Sequence, residues 1–348
     1  MAKTIVDPPR PVTGGVDTHL DLNVAAAVDA IGGLLGVAQF PTTSAGHSQL
    51  LSWLNGFGLV SRVGVEGTSS YGTGLARFLR RAGVEVVEVD RPNRQSRRRT
   101  GKSDPADAIE AARAALSGRA HGAAKAKDGN VEAIRALFVA KRSARDTRIK
   151  TLNQIRHLGF TAPEELRERL AGLSRTQLAG AAAALRPRQG GDQVAFATKT
   201  ALCLLGRRVL ALDAEKEQLD NLMAKLVEKT APELLGLYGV GVDTAAALLV
   251  AAGDNPGRIR SEAAWAHLCG VAPIPASSGK VTRWRLDRGG DRQANAALYV
   301  IVLARMSADK RTKAYVQRRL AEGRTKLEVI RILKRYVARE VYHCLPRP

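Results

Sequence analysis

From Thr13 onward, apolar and small residues come in short runs separated by turn residues. Thr13 to Val28 holds two such runs that meet near His19–Asp21, and predicts two short strands. Gly32-Gly33 marks a turn, and Leu34 to Phe40 continues as the third strand of an antiparallel meander. The period then lengthens: Ser44 reads as a helix N-cap, and Leu50, Leu51 and Leu54 share one helical face. Arg62 to Val65 returns to a buried-strand pattern that ends in Glu66-Gly67-Thr68. Tyr71 to Ala82 is helical, Val84 to Val89 is a strand, and Asp104-Pro105 opens a further helix with proline at its first position. The order is three strands, helix, strand, helix, strand, helix.

Beyond residue 120 the pattern is almost entirely helical. Residues 121–130 are small and polar and form a linker or exposed turn. Val131 to Leu158 carries Ile134, Leu137, Phe138, Ile149, Leu152 and Ile155 as its apolar members. Lys141, Arg142, Arg145, Arg148, Lys150 and Arg156 form a basic side, suited either to solvation or to a nucleic-acid backbone. Thr161 to Arg188 reads as a shorter helix pair. Leu205, Leu212, Leu219 and Leu226 then recur every seven residues, with Val209 and Met223 adjoining and a break at Lys216. That stripe fits a dimerisation arm or packing against Val131–Leu158 in the same chain. Pro232 to Asp254 suggests two helices about Gly239-Val240-Gly241, a helix-hairpin-helix in which backbone N–H groups at Gly239 and Gly241 approach phosphate. The expected class is α/β plus mostly α. It has a lead-in over 1–12, an α/β domain over 13–120, a helical coiled-coil region over 121–230 and a helical domain over 231–348.

The N-terminal order matches a ribonuclease-H-like fold, an analogy at the level of fold alone. The acids sharpen it. Asp17 lies near the end of the first strand, Glu66 ends the fourth, and Asp104 and Asp107 begin the last helix. In that topology strands one and four are neighbours and the last helix packs on them, so four carboxylates distant in sequence converge. Two Mg²⁺ ions, or Mn²⁺ in their place, would there serve a displacement at phosphorus. The plainer alternative makes Asp17 a turn residue beside Thr18 and Glu66 a lone strand-end acid. His19 and Asp21 stand nearby, outside the expected ligand set.

Charge adds a partner. The chain has 348 residues with 54 Lys and Arg against 33 Asp and Glu, a net of +21. Such an imbalance points to nucleic acid. Residues 258–348 alone carry 20 basic and 7 acidic residues, so the last quarter supplies 13 of the 21 excess charges. A second concentration, at Arg94, Arg97, Arg98, Arg99 and Lys102, directly precedes Asp104 and would attract a polyanion. No apolar run approaches a membrane span, so no membrane partner and a cytoplasmic, nucleoid-associated location are expected. Cys203, Cys269 and Cys344 are scattered and suggest neither a disulfide framework nor zinc.

The C-terminal region contains Ser277-Ser278-Gly279-Lys280 on a Pro/Gly loop, followed by Arg283, Arg285, Arg288 and Arg292. A serine among cations can attack phosphate when its neighbours hold the oxyanion. Two blocks now resemble one family. The first is Gly15-Val16-Asp17-Thr18, Val65-Glu66-Gly67-Thr68 with Tyr71, and Lys102-Ser103-Asp104-Pro105-Ala106-Asp107. The second is the Gly-Val-Gly turn, Gly270-Val271-Ala272-Pro273, Ser278-Gly279-Lys280 and Arg288-Gly289-Gly290-Asp291-Arg292. Together they resemble the transposases typified by insertion sequence 110, which include the Piv-type DNA invertases. The resemblance implies a RuvC-like domain with Asp-Glu-Asp-Asp acids at Asp17, Glu66, Asp104 and Asp107. It also implies a transposase domain with a catalytic serine at Ser278, Ser277 being the close rival. It further implies donor DNA, target DNA and a structured guide (bridge) RNA as partners. Acting on two strands at two sites calls for a homo-dimer or homo-tetramer. A metal-dependent junction-resolving endonuclease and a non-catalytic nucleic-acid-binding protein are the alternatives.

Overall fold

The computed structural model describes residues 10–89, 103–120, 122–190, 192–255 and 257–346. The basic run Arg94, Arg97, Arg98, Arg99 and Lys102 lies outside the described residues. The chain forms two compact units. The first runs to Gly129 and includes Gly253–Arg260; the second comprises Asn130–Ala252 and Ser261–Pro346. Residues 121–230 and 231–348, expected as separate regions, thus fall largely in one unit.

The first unit is built on a six-stranded sheet in the order β3-β2-β1-β4-β5-β6. Its strands are β1 (Pro11–Thr18), β2 (Leu22–Val28), β3 (Leu34–Pro41), β4 (Leu59–Glu66), β5 (Glu85–Val89) and β6 (Gly122–Ala123). β1, β2 and β3 pair antiparallel, whereas β4 runs parallel to both β1 and β5. The three-strand meander and the β1–β4 neighbour relation therefore appear as the pattern predicts. β1 begins at Pro11, inside the expected lead-in, and the short antiparallel β6 arises within the expected linker. Helices α1 (Ser44–Asn55) and α2 (Thr73–Arg81) enclose one face, where Leu50, Leu54, Leu75 and Leu79 are fully buried with Val16, Val63 and Val65. The cap of α1 is Thr43, whose hydroxyl accepts from the Gly46 N–H at 3.1 Å; Ser44 is the first helical residue.

Helix α3 (Asp104–Leu116) covers the other face, and its packing positions the acids. It is alanine-rich, with Ala108, Ala111, Ala112 and Ala115 buried. It lies so close to the sheet that a Cβ at Gly15 would stand 2.1 Å from the Ala112 nitrogen and 2.2 Å from the Ala108 oxygen. A Cβ at Gly64 on the neighbouring strand would stand 2.5 Å from the Ala111 oxygen. Side chains two apart on a strand share a face. Asp17 therefore follows Gly15, and Glu66 follows Gly64, on the face that carries α3. Along the helix Asp104 precedes Ala108, and Asp107 precedes Ala111, by four residues, which is one turn. One row of α3 thus tracks β1 and the next row tracks β4, and each row begins with an aspartate.

The second unit is helical apart from one small hairpin. Its helices are α4 (Asn130–Phe160), α5 (Glu164–Leu170), α6 (Arg175–Ala183), α7 (Gln193–Thr230), α8 (Pro232–Leu235), α9 (Val242–Ala252), α10 (Glu262–Leu268), α11 (Arg292–Ala308), α12 (Lys310–Ala321) and α13 (Lys326–Cys344). α7 packs along α4 in the same chain. Leu202, Val209, Met223 and Val227 are its buried seam, and the Leu205–Leu226 stripe flanks that seam half-buried. Lys216 sits where the buried seam skips a heptad. The basic side of α4 is only partly free. Lys141 is buried and paired with both Asp220 of α7 and Asp243 of α9. Burial works to lower its pKa, but the hydrogen bonds to the two aspartates more than offset that and hold it above the ordinary lysine value. Arg148 pairs with Asp213 at 2.5 Å. Among the described residues, no helix is long and apolar enough to cross a membrane.

The two adjacent glycines of β1 separate the two packing surfaces. A Cβ at Gly14 meets side-chain methyl groups of Leu54 at 2.9 Å and Val63 at 3.0 Å, whereas one at Gly15 meets helix backbone. Gly15→Val is expected to lower unfolding free energy by about 1–3 kcal/mol or more. Gly14→Ala should cost less than Gly15→Ala, read by urea denaturation. Equal losses at the two positions would contradict this packing.

Candidate functional site

The ends of β1 and β4 are stapled together: the Thr18 hydroxyl donates to the Glu66 carbonyl at 2.8 Å. This fixes Asp17 and Glu66 on adjoining strand ends, just past the paired residues Val16 and Val65. Ser103 precedes α3 in extended conformation, and Pro105 lies in its first turn with both aspartates. The Asp107 N–H donates to the Ser103 carbonyl at 3.0 Å, so this first turn is formed. Asp17 and Asp107 are buried at 8% and 4% exposure, whereas the Asp104 side chain is half-exposed and Glu66 is intermediate.

Sequence reasoning set His19 aside, yet the structure brings it in. Its Nε2 stands 3.2 Å from Asp17 Oδ2 and 3.5 Å from Asp104 Oδ2. One ligand atom from each of Asp17, His19 and Asp104 falls within 4.8 Å of the others. The meander turn accounts for this, because His19 N–H donates to the Leu22 carbonyl at 3.1 Å and the turn folds back over the strand end. Strand spacing gave no signal for it, since His19 lies one residue past the end of β1, in the turn. Asp21, the other nearby residue, is not among the clustered groups.

The site also carries its own electrostatic evidence. Burial raises the Asp17 pKa above the ordinary aspartate value; His19 opposes this, and the nearby charges of Asp104 and Asp107 add to it. A buried carboxylate crowded by two others is costly when ionised. Oxygen donors at this density, with an imidazole beside them, are the donor set that a hard or borderline divalent cation takes. The residues present therefore fit the expected ion.

The predicted serine lies in the second unit, on the hairpin of β7 (Ile274–Pro275) and β8 (Trp284–Arg285). Beyond the strands the pairing continues: Ala276 N–H donates to the Arg283 carbonyl at 2.8 Å, and Ser278 and Val281 form an antiparallel bridge. Gly279 and Lys280 are then the two loop residues. Gly279 takes φ +57°, the left-handed value that a tight hairpin turn of mirror type needs at its first central position. The two serines differ. Ser277 Oγ accepts from the Arg283 N–H at 3.1 Å and donates to the Arg283 carbonyl at 3.4 Å, so it closes the hairpin. The Ser278 hydroxyl is exposed and makes no hydrogen bond among the described residues. Lys280, Arg283, Arg285, Arg288 and Arg292 are all exposed, and among the described residues none is in an ion pair. Asp291 caps α11 by accepting from Gln293 and Ala294 N–H, and its own N–H donates to the Leu268 carbonyl at 2.6 Å. The Arg-Gly-Gly-Asp-Arg run thus anchors the base of the loop.

The Gly239–Gly241 turn has a structural role of its own. Gly239 adopts φ +80°, and the Tyr238 carbonyl accepts from Arg305 Nε at 2.8 Å. The Gly241 N–H donates to Thr244 Oγ1 at 3.0 Å.

Comparison with known proteins separates along the same lines. A DEDD transposase model matches residues 14–158, which hold all four acids, and a model described as transposase IS116/IS110/IS902 family matches residues 231–317, which hold the serine hairpin. The chain belongs to the IS110 family of transposases. It is 33% identical over 134 residues to a 43.6 kDa protein of insertion element IS110 from Streptomyces coelicolor, covering 38% of this chain and 33% of that protein. It is 28% identical over 148 residues to a 42 kDa protein of insertion element IS900 from Mycobacterium paratuberculosis, covering 42% of this chain and 36% of that one. The matched stretches thus span about a third of these relatives' lengths. For this family member the acid cluster makes a direct prediction. Mn²⁺ or Mg²⁺ should raise its melting temperature, and Asp17→Asn should abolish that rise. Without metal the variant should melt at or above wild type, because a costly buried charge is gone. A cation-induced rise that survives Asp17→Asn would remove Asp17 from the site.

Proposed function

We propose that this chain is a DNA recombinase of a mobile element that cuts and rejoins DNA through a serine-linked intermediate. The observation that carries the assignment to one serine is the division of labour on the hairpin: Ser277 is bound to the opposite strand, while Ser278 is exposed with an unengaged hydroxyl. Asp17, Glu66, Asp104 and Asp107 would hold Mg²⁺, or Mn²⁺, with His19 at their edge. A divalent ion there supplies Lewis-acid polarisation of the scissile phosphate.

The residues of the chain do the rest. Lys280, Arg283, Arg285, Arg288 and Arg292 draw the phosphodiester backbone to the hairpin turn and offset charge on the non-bridging oxygens. Ser278 Oγ forms a bond to phosphorus and gives up its proton. The bond from phosphorus to one neighbouring sugar oxygen breaks, and that sugar leaves as a hydroxyl. The number of phosphoester bonds is unchanged, so a second sugar hydroxyl can attack the phosphoserine and release Ser278 without ATP. Arg94, Arg97, Arg98, Arg99 and Lys102 extend the grip on the strand; their charge supports this. Gly239 and Gly241 are confined to minor backbone contacts, since their turn is already engaged. The family resemblance supports donor and target DNA, a structured guide RNA and a dimeric or tetrameric assembly.

Incubation with the element's flanking DNA, its RNA and Mg²⁺, followed by a denaturing gel, tests this reading. A protein–DNA adduct is expected, lost in Ser278→Ala and retained, at lower yield from a loosened hairpin, in Ser277→Ala. Free cut ends without any adduct would instead make the chain a hydrolytic nuclease.

A further inference from the structure

A cavity of about 640 Å³ lies beside the serine hairpin, wholly within the second unit. β8 and the residues after it form one wall, α13 forms another, and Gly270–Pro273 line its apolar part. Two large aromatic rings border it with much of their surface in solvent: Trp284 at 62% and Tyr336 at 48% exposure. The chain's other tryptophans differ, Trp265 being fully buried and Trp53 packed against the sheet core.

The polar lining is mostly cationic, although Asp287 also borders the cavity and Arg335 there is paired with Glu262. Arg285, Arg288 and Arg331 line the cavity, and no carboxylate pairs with them among the described residues. Lys334 reaches inward: its Nζ donates to Asn295 Oδ1 at 2.7 Å, and the Asn295 amide donates to the carbonyls of Cys269 and Gly270 at 2.8 and 3.2 Å. Lys334 therefore rests on a neutral partner. Its pKa lies below the ordinary lysine value, through burial first and then the nearby Arg331. A cavity with exposed aromatic faces, an apolar wall and unneutralised cations has the chemistry of a nucleotide site. Rings stack on a base, and cations meet the phosphates and the base carbonyls. A duplex keeps its bases stacked inside and offers a groove like this only its backbone.

We infer that the cavity receives an unstacked base of the single-stranded DNA segment whose phosphate is presented to Ser278. Trp284 pairs with Pro275 on the hairpin, and Ser278 lies three residues further along that strand. At strand rise that is roughly 10 Å, about three stacked nucleotides of a DNA strand. A base held against Trp284 and Tyr336 would fix the register of the strand at the turn. This inference rests on the reading of the chain as a DNA recombinase, but its test needs no cleavage.

Full-length protein without metal would be titrated with a short oligothymidylate, the matching oligouridylate and a short DNA duplex, following tryptophan emission and, separately, anisotropy of labelled strands. Oligothymidylate should quench the emission of wild type. Trp284→Phe should lose the quench while keeping affinity. Trp284→Ala should weaken oligothymidylate binding about 10-fold and leave the duplex within about 2-fold, with Tyr336→Ala weakening it in the same direction. Equal losses for single strand and duplex in Trp284→Ala, or no loss in either, would overturn the base site while leaving the recombinase reading standing. A Trp284-dependent preference for oligouridylate would overturn the assignment to DNA. Failure of wild type to bind any of the three would sink the recombinase reading, and the base site with it.

Discussion

The contact of α3 with the two central strands is what the acid site depends on. Gly15 and Gly64 leave no room for a side chain, and Ala108, Ala111, Ala112 and Ala115 ride directly on the sheet. The same short sequence occurs on both strands, Gly15-Val16-Asp17 and Gly64-Val65-Glu66. In each, the glycine lies beneath the helix, the valine is fully buried in the core on the far face, and the acid is the next residue on the glycine's face. Close packing therefore does more than fill space. It sets the height at which Asp104 and Asp107 approach Asp17, and a thicker layer would part them.

That arrangement has a cost in the absence of cations. Asp17 and Asp107 are buried near each other and near Asp104, and the strain shows in the raised pKa of Asp17. His19 offsets part of it by standing between two of the carboxylates. Like charges held together by backbone packing are a common device for binding a divalent ion, because the fold supplies the energy that keeps the site open. In the second unit stability and exposure are divided differently. Lys141 ties three helices together from the inside, while the serine hairpin stands out in solvent on a turn that Ser277 and Gly279 hold in shape. The exposed cations around it are what an approaching phosphate backbone would neutralise.

Much of this was legible in the sequence. The order of strands and helices followed from runs and turns, and the places of Asp17 and Asp104, which the structure clusters with His19, from a strand end and a helix start. His19 was missed because it belongs to a turn, where neither period places a side chain. Lys141 read as one member of a basic side suited to solvation or to a nucleic-acid backbone; its burial depends on Asp220 and Asp243, about 80 and 100 residues away in sequence. The Leu205–Leu226 stripe located the helix but not its seam, since the deepest positions are Leu202, Val209, Met223 and Val227. Trp284 and Tyr336 gave no periodic signal, because what makes them notable is the cavity between two distant segments.

The central claim is that the packing of α3 on Gly15 and Gly64 builds a divalent-cation site. Crystals of the chain grown with Mn²⁺ and measured at the manganese absorption edge test it directly. The account predicts an anomalous peak within bonding distance of Asp17 and Asp104. Peaks confined to other carboxylates, with Asp17 and Asp104 left unligated at saturating Mn²⁺, would contradict it.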